Sequence, residues 1–222
     1  MSEPMATLLL LRHGEVASHR GDVPVTEHGR THAVRTGKAI AATFDAPVTL
    51  LYGGTRRTRE TAESLAEGID RPEMVDGPHD SFALRNPDVY VAGSRVNMVS
   101  SPATLAEQVP GMTEAQAAAH AWFAGFFNAT DRIGWWLNQE QPPGDNATAV
   151  NARIEQFARS LTDLGPHQNR LVIGVTHSPV LRSVLRSGTG TDPGEPGYVT
   201  GALLRVSTDG RPSVEAFDPL QH

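Results

Sequence analysis

Two apolar runs, separated by more than half of the chain, each end in a histidine. Leu8-Leu9-Leu10-Leu11 leads into Arg12-His13-Gly14-Glu15, and Leu171-Val172-Ile173-Gly174-Val175-Thr176 leads into His177-Ser178. Short continuous apolar runs read as strands buried on both faces, and such strands belong to parallel sheets covered by helices on either side. In sheets of this kind, ligand-binding and catalytic groups collect at the C-terminal strand ends. Two histidines at two such ends predict a reactive site, and an arginine directly before the first predicts an anionic ligand.

The rest of the chain fits this frame at both ends. A polar loop over residues 14–25 precedes a helix that opens at Thr26-Glu27-His28-Gly29-Arg30 and runs to about Phe44. Val48 to Tyr52 form a second strand, and residues 58–68 a helix with Ala62, Leu65 and Ala66 on one face. Residues 147–164 carry Val150, Ile154, Phe157, Ala158 and Leu161 at helical spacing; a strand over 171–176 and a helix over 179–187 follow. Residues 201–206 and 213–217 around Asp209-Gly210 form a hairpin signature. Alternating strands and helices predict an α/β three-layer sandwich with a mostly parallel central sheet, helices on both faces and one cap insertion.

That insertion covers about residues 78–145, where six prolines break the alternation and eight of the thirteen aromatic residues gather. Residues 113–128 read as one helix with Thr113 as its N-cap. The simplest reading of the aromatic residues is a small hydrophobic subcore; the sharper one is a substrate-facing cap, with Trp122 or Trp135 against an organic leaving group. Residues 1–222 are read as a single domain, with no internal repeat.

Composition closes off several classes. The chain has 222 residues, 39% of them hydrophobic and 20% charged, which suits an ordinary globular core. A formal charge of −6 without a basic run argues against a nucleic-acid partner. Absence of cysteine removes disulfides, thiolate metal sites and a cysteine nucleophile. No stretch approaches the ~20 apolar residues of a membrane span, and the apolar run at residues 8–11 is too short for a signal peptide. The expectation is a cytoplasmic protein without a membrane partner.

The residues themselves indicate phosphate chemistry. A neutral imidazole Nε2 is a competent nucleophile toward phosphorus, and an unperturbed histidine, with a pKa near ~6.5, is mostly neutral at cytosolic pH. Arg12 supplies a fixed forked charge for phosphate oxygens, and Gly14 allows a sharp turn with close backbone approach. Thr55-Arg56-Arg57-Thr58 after the second strand places arginines and backbone N–H groups at a helix N-terminus. His177, expected to be protonated, would complete a cluster able to stabilise a phosphoryl group in transfer.

In order and spacing these segments resemble the histidine phosphatase superfamily, the phosphoglycerate-mutase-like Arg-His-Gly branch. The matching pieces are Leu11-Arg12-His13-Gly14-Glu15, Val25-Thr26-Glu27-His28-Gly29-Arg30-Thr31-His32-Ala33, Gly53-Gly54-Thr55-Arg56-Arg57-Thr58-Arg59-Glu60-Thr61-Ala62 and Val175-Thr176-His177-Ser178. The resemblance implies that His13 is the nucleophile of a phosphohistidine intermediate, that Arg12, Arg57 and His177 clamp the phosphoryl oxygens, and that neither metal nor cofactor is needed. Gly14, Glu15, His19 and Ser178 complete the expected substrate contacts.

Two departures stand out. Gly53-Gly54 replaces the Ser-Pro of the family pattern, suggesting a more flexible loop. Where many members carry a glutamate general acid, the comparable stretch is Ala83-Leu84-Arg85-Asn86, and an amide cannot donate the proton. Asp80, Asp88 and Glu107 are the carboxylates nearby; Asp88, fixed by Pro87, is favoured. The expected activity is a metal-independent phosphomonoesterase acting on a small phosphorylated molecule. A phosphoglycerate-type mutase and a non-catalytic phosphate-binding module are the alternatives.

Overall fold

The computed structural model describes residues 5–18, 21–163, 170–207 and 212–221. Its elements run β1 (Ala6–Arg12), α1 (Glu27–Thr43), β2 (Val48–Tyr52), α2 (Arg56–Ile69) and β3 (Val75–Asp80). After a 3-10 turn at Phe82–Leu84 come β4 (Val89–Val91), β5 (Ser94–Val96), α3 (Pro102–Ala106), α4 (Glu114–Ala119), α5 (Ala121–Asn128) and α6 (Arg132–Leu137). The chain closes with α7 (Ala147–Ser160), β6 (Leu171–Thr176), α8 (Ser178–Thr189), β7 (Gly201–Val206) and β8 (Pro212–Phe217). Six strands form one sheet in the order β3-β2-β6-β1-β7-β8. β1, β2, β3 and β6 are parallel, and β7 runs antiparallel to both of its neighbours.

The leucine run of β1 shows why the sheet needs two covers. Leu8 and Leu10 face the layer of α7 and α8, packing with Val150, Ile154 and Val180. Leu9 and Leu11 face the layer of α1 and α2, packing with Ala33, Ile40 and Leu65. All four leucines are fully buried, and full burial of one such side chain contributes about 1.5–3 kcal/mol. The expected three-layer α/β architecture is therefore present.

Local departures have physical causes. β3 was not legible as a strand because Val-Asp-Gly-Pro-His-Asp lacks an apolar pattern; it lies at the sheet edge, where a proline and charged side chains are tolerated. The expected 113–128 helix breaks at His120, whose ring accepts from the Phe123 N–H at 3.4 Å and so caps α5. Thr113 caps α4 in a reciprocal capping box with Gln116. α7 ends at Ser160 with Leu161 as its cap, short of residue 164. The hairpin strands pair as expected, while its Asp209-Gly210 turn lies outside the described residues.

The cap aromatics form the subcore. Trp122 stacks on Phe126 at 5.4 Å and meets Phe123 and Trp135 edge-on at 4.9 and 5.2 Å. Phe123, Phe126 and Trp136 are buried in the same core as Leu8 and Val180. Phe82, 74% exposed, and Tyr90 are the aromatic rings left at the surface.

Gly53 is tightly packed while Gly54 lies exposed, which corrects the expectation of a loose loop at the first of the two. A Cβ at Gly53 would overlap the Leu84 carbonyl oxygen, and Gly54 takes φ +66°. The same Leu84 carbonyl accepts the Thr176 hydroxyl at 2.7 Å, pinning the start of the cap to the tips of β2 and β6. Gly53→Ala is expected to lower stability by about 1–3 kcal/mol and to depress activity by moving this junction; thermal denaturation beside an activity assay checks both.

Candidate active site

Strand register assembles the site. Arg12 lies opposite Thr176, and Tyr52 opposite Val175, so β1, β6 and β2 end level. The His13 N–H donates to the Thr176 carbonyl at 3.0 Å, and the Gly53 N–H to the Val175 carbonyl at 3.0 Å. His13 and His177 consequently leave the sheet side by side, their rings 5.6 Å apart.

His13 is 3% exposed, and its Nδ1 lies 2.8 Å from the Gly14 carbonyl oxygen. A carbonyl only accepts, so this bond assigns the proton to Nδ1 and leaves the lone pair on Nε2. The Gly14 N–H donates to Thr61 Oγ1 at 2.8 Å, and the Thr61 hydroxyl donates to the Arg57 carbonyl at 2.6 Å. That chain of bonds locks the His13 turn to the first turn of α2, which begins two residues earlier than its apolar pattern indicates and so carries Arg57 at its N-terminus.

Arg12 is held on three sides by residues 195–198. Its Nη2 lies 2.7 Å from Glu195 Oε1, its Nη1 donates to the Pro196 carbonyl at 2.6 Å, and its guanidinium sits 4.4 Å from the centre of the Tyr198 ring. Val199, next in line, takes φ +57°, a strained conformation for a β-branched residue. Its N–H donates to the Arg12 carbonyl at 3.1 Å.

Arg57 Nη2 lies 3.4 Å from His177 Nδ1. A hydrogen bond to the Gly53 backbone favours a protonated ring nitrogen, and Nε2 has no partner among the described residues. Burial, then the charge of Arg57 and the neighbouring His13, push the His177 pKa well below the ordinary histidine value. These effects favour the uncharged ring in the free protein, against the expectation of an imidazolium. Burial also lowers the Arg57 pKa, partly offset by Asp22, without removing its charge.

Six buried side-chain nitrogens lack a hydrogen-bond partner among the described residues, and three belong to this cluster: Arg12 Nε, Arg57 Nε and His177 Nε2. Unpaired buried donors are rare and costly. Arg12, Arg57 and His177, gathered beside His13 with these nitrogens unsatisfied, make a set suited to receive an oxyanion. The N-termini of α2 and α8 add their dipoles. Among the described residues, no group of three or more His, Cys, Asp or Glu side chains is arranged to hold a metal ion.

Comparison with known proteins agrees with this geometry. A family model described as histidine phosphatase superfamily (branch 1) matches residues 8–77. Solved structures match over the whole chain. The fold is that of the histidine phosphatases. Mycobacterial glucosyl-3-phosphoglycerate phosphatase in complex with vanadate is 19% identical, with 96% of this chain and 97% of that one covered at a TM-score of 0.60. Bacillus stearothermophilus YhfR is 24% identical, with 95% of each chain covered at 0.59. The phosphoglycerate mutase of Bacillus anthracis is 13% identical, with 96% and 92% covered at 0.61. No curated protein matches in sequence.

Within this histidine phosphatase fold, Arg12, His13, Gly14, Arg57, His177 and Ser178 come together as expected. Glu15 turns instead to the start of α1, accepting from the Thr26 hydroxyl at 3.1 Å and pairing with His28 at 2.8 Å. Asp88 is gripped by Arg85 at 2.8 Å and by Arg95, and its backbone N–H donates to Asp145. Burial raises its pKa, but the two guanidinium bonds outweigh this and hold the carboxyl below its ordinary range. A carboxylate so held stays ionised, and it suits an anchor of the cap rather than a proton donor. His19 lies outside the described residues. Thr61, Glu195 and Tyr198 join the cluster without having been anticipated.

Two outcomes follow for solution behaviour. Between the depressed folded pKa of His177 and the unfolded value near ~6.5, the folded state binds fewer protons than the unfolded. Stability is thus full above that value and declines as pH falls below it. Melting temperature measured from pH 7.5 to 5 is expected to drop, and His177→Gln to flatten the slope. Asp88→Asn is expected to cost about 1–3 kcal/mol of stability while leaving the dependence of rate on leaving-group pKa unchanged, as read from denaturation and a series of aryl phosphates.

Proposed function

We propose that this protein is a cytoplasmic, metal-independent phosphomonoesterase that cleaves a small organic phosphate through a phosphohistidine on His13. The observation that carries this reading is the gathering of Arg12, Arg57 and His177, each with a buried nitrogen lacking a partner among the described residues, beside the imidazole of His13.

The chemistry needs only these groups. The Nε2 lone pair of His13 forms the P–N bond as the P–O bond to the leaving group breaks, and the bond electrons depart with the leaving oxygen. Arg12, Arg57 and the His177 N–H take up the charge spread over the three remaining oxygens, the largest electrostatic demand in phosphoryl transfer. The Gly14 carbonyl, bonded to Nδ1–H, steadies the cationic phosphohistidine. Water then attacks phosphorus, the P–N electrons return to Nε2, phosphate leaves, and the water proton passes to solvent.

Protonation of the leaving oxygen is the weak part of this site. Among the described residues, Glu15, Glu60, Asp88, Asp131 and Asp192 are held below the ordinary carboxylate range. A raised pKa is what a general acid requires. Substrates with acidic leaving groups are therefore favoured.

Purified protein is expected to hydrolyse p-nitrophenyl phosphate with EDTA present, and His13→Ala to lose at least about 10³-fold in kcat. Simple alkyl phosphates are expected to react at least about 100-fold more slowly in kcat/KM than aryl phosphates. Full activity in His13→Ala overturns the reading. Isomerisation of phosphoglycerate at a rate comparable to hydrolysis replaces it with a mutase.

A further inference from the structure

Arg12 already holds an anion of the protein's own. Glu195 places Oε1 2.7 Å from Arg12 Nη2, while its Oε2 accepts the Ser178 hydroxyl at 2.6 Å. The carboxylate thus spans the arginine before the nucleophile and the residue after His177. Its side chain is 49% exposed, so it sits at the edge of the cradle with room to move.

A second cation stands behind it. Arg182 of α8 is completely buried. It is bidentate to Asp131, the N-cap of α6, at 2.8 and 2.6 Å, and bonds Asp192 at 2.9 and 2.5 Å. Glu195 Oε2 lies 3.8 Å from Arg182 Nη1. Glu195 is therefore shared between the phosphate arginine and a fixed internal cation, and contact with Arg182 is available to it without leaving the site.

We propose that Glu195 is an internal counter-anion of the phosphoryl site, a specificity-determining residue that competes with oxyanions for Arg12 and so weakens retention of the phosphate product. The inference rests on the phosphomonoesterase reading and adds to it how the site lets go. Without Glu195, two arginines, a donor histidine and two helix N-termini face the product dianion in a buried cradle, where charge interactions are strong and little screened. The carboxylate cancels one of those charges at short range. Incoming phosphate takes over the Arg12 donors and Glu195 turns toward Arg182; when the product leaves, Glu195 returns.

The test is calorimetric titration of wild type, Glu195→Gln and Glu195→Asp with inorganic phosphate and with orthovanadate at pH 7.5. Glu195→Gln keeps an oxygen acceptor for Arg12 but not the charge, and is expected to bind both anions at least about fivefold more tightly. Its KM for p-nitrophenyl phosphate is expected to fall together with the phosphate inhibition constant, and its kcat to drop as release slows. Glu195→Asp keeps the charge and is expected to stay within about twofold of wild type. Glu215→Gln, which removes a carboxylate paired with Arg205 on the final hairpin, is the control and leaves affinity unchanged.

Equal or weaker anion binding in Glu195→Gln overturns the proposal; weaker binding would show instead that the carboxylate serves to hold Arg12 in place. Tightening in Glu195→Asp equal to that in Glu195→Gln also overturns it, since the charge would not be the cause. Either result leaves hydrolysis dependent on His13 intact. A wild type that binds neither anion and turns over no ester overturns both readings.

Discussion

Everything at the site depends on the parallel pairing of β1 with β6. Their register sets Arg12 opposite Thr176, so the next residue on each strand is a histidine, and the two rings emerge together. A one-residue slip would send every side chain of one strand to the opposite face. Leu8 and Leu10 pack into one core and Leu9 and Leu11 into the other, and the backbone bonds from His13 to Thr176 and from Gly53 to Val175 carry the register past the strand ends. Pairing that stabilises the sheet is thus the same pairing that brings the two histidines together.

The cluster works against the stability of the fold that holds it. A buried guanidinium, a half-buried one and a buried imidazole are expensive to desolvate, and Arg57 and His177 both show the cost as lowered pKa values. The loop at residues 195–198 offsets part of it by giving Arg12 a carboxylate, a carbonyl and a ring face. Val199 at positive φ, immediately afterwards, adds backbone strain at the same place. Charge and strain concentrated at one sheet edge are the usual mark of a region shaped for a ligand.

How much of this was legible depended on the range of the interactions. The buried strands and their histidines read directly, because a leucine run and a short Val-Ile run admit few alternatives. The edge strand β3 did not, since its residues are polar and its pairing comes entirely from β2. The break at His120 is a side-chain cap that helical spacing does not encode. Residues 192–197, Asp-Pro-Gly-Glu-Pro-Gly, carry turn-forming residues around Glu195, and Glu195 meets Arg12 across 183 positions of sequence; only the folded chain reveals that contact. Asp88 illustrates a local signal that was overlooked: Arg85 stands three residues before it, the spacing of the ion pair that keeps it ionised.

The cap shares its core with the body of the protein. Trp136, Phe123 and Phe126 lie in one apolar cluster with Leu8, Ile154 and Val180, and Arg182 fastens the start of α6 to α8 through Asp131. Swinging the cap outward as a rigid piece would expose that cluster and strip a buried arginine of its partners. It is therefore a fixed lip over the strand ends. A ligand at the strand ends meets walls that are already in place.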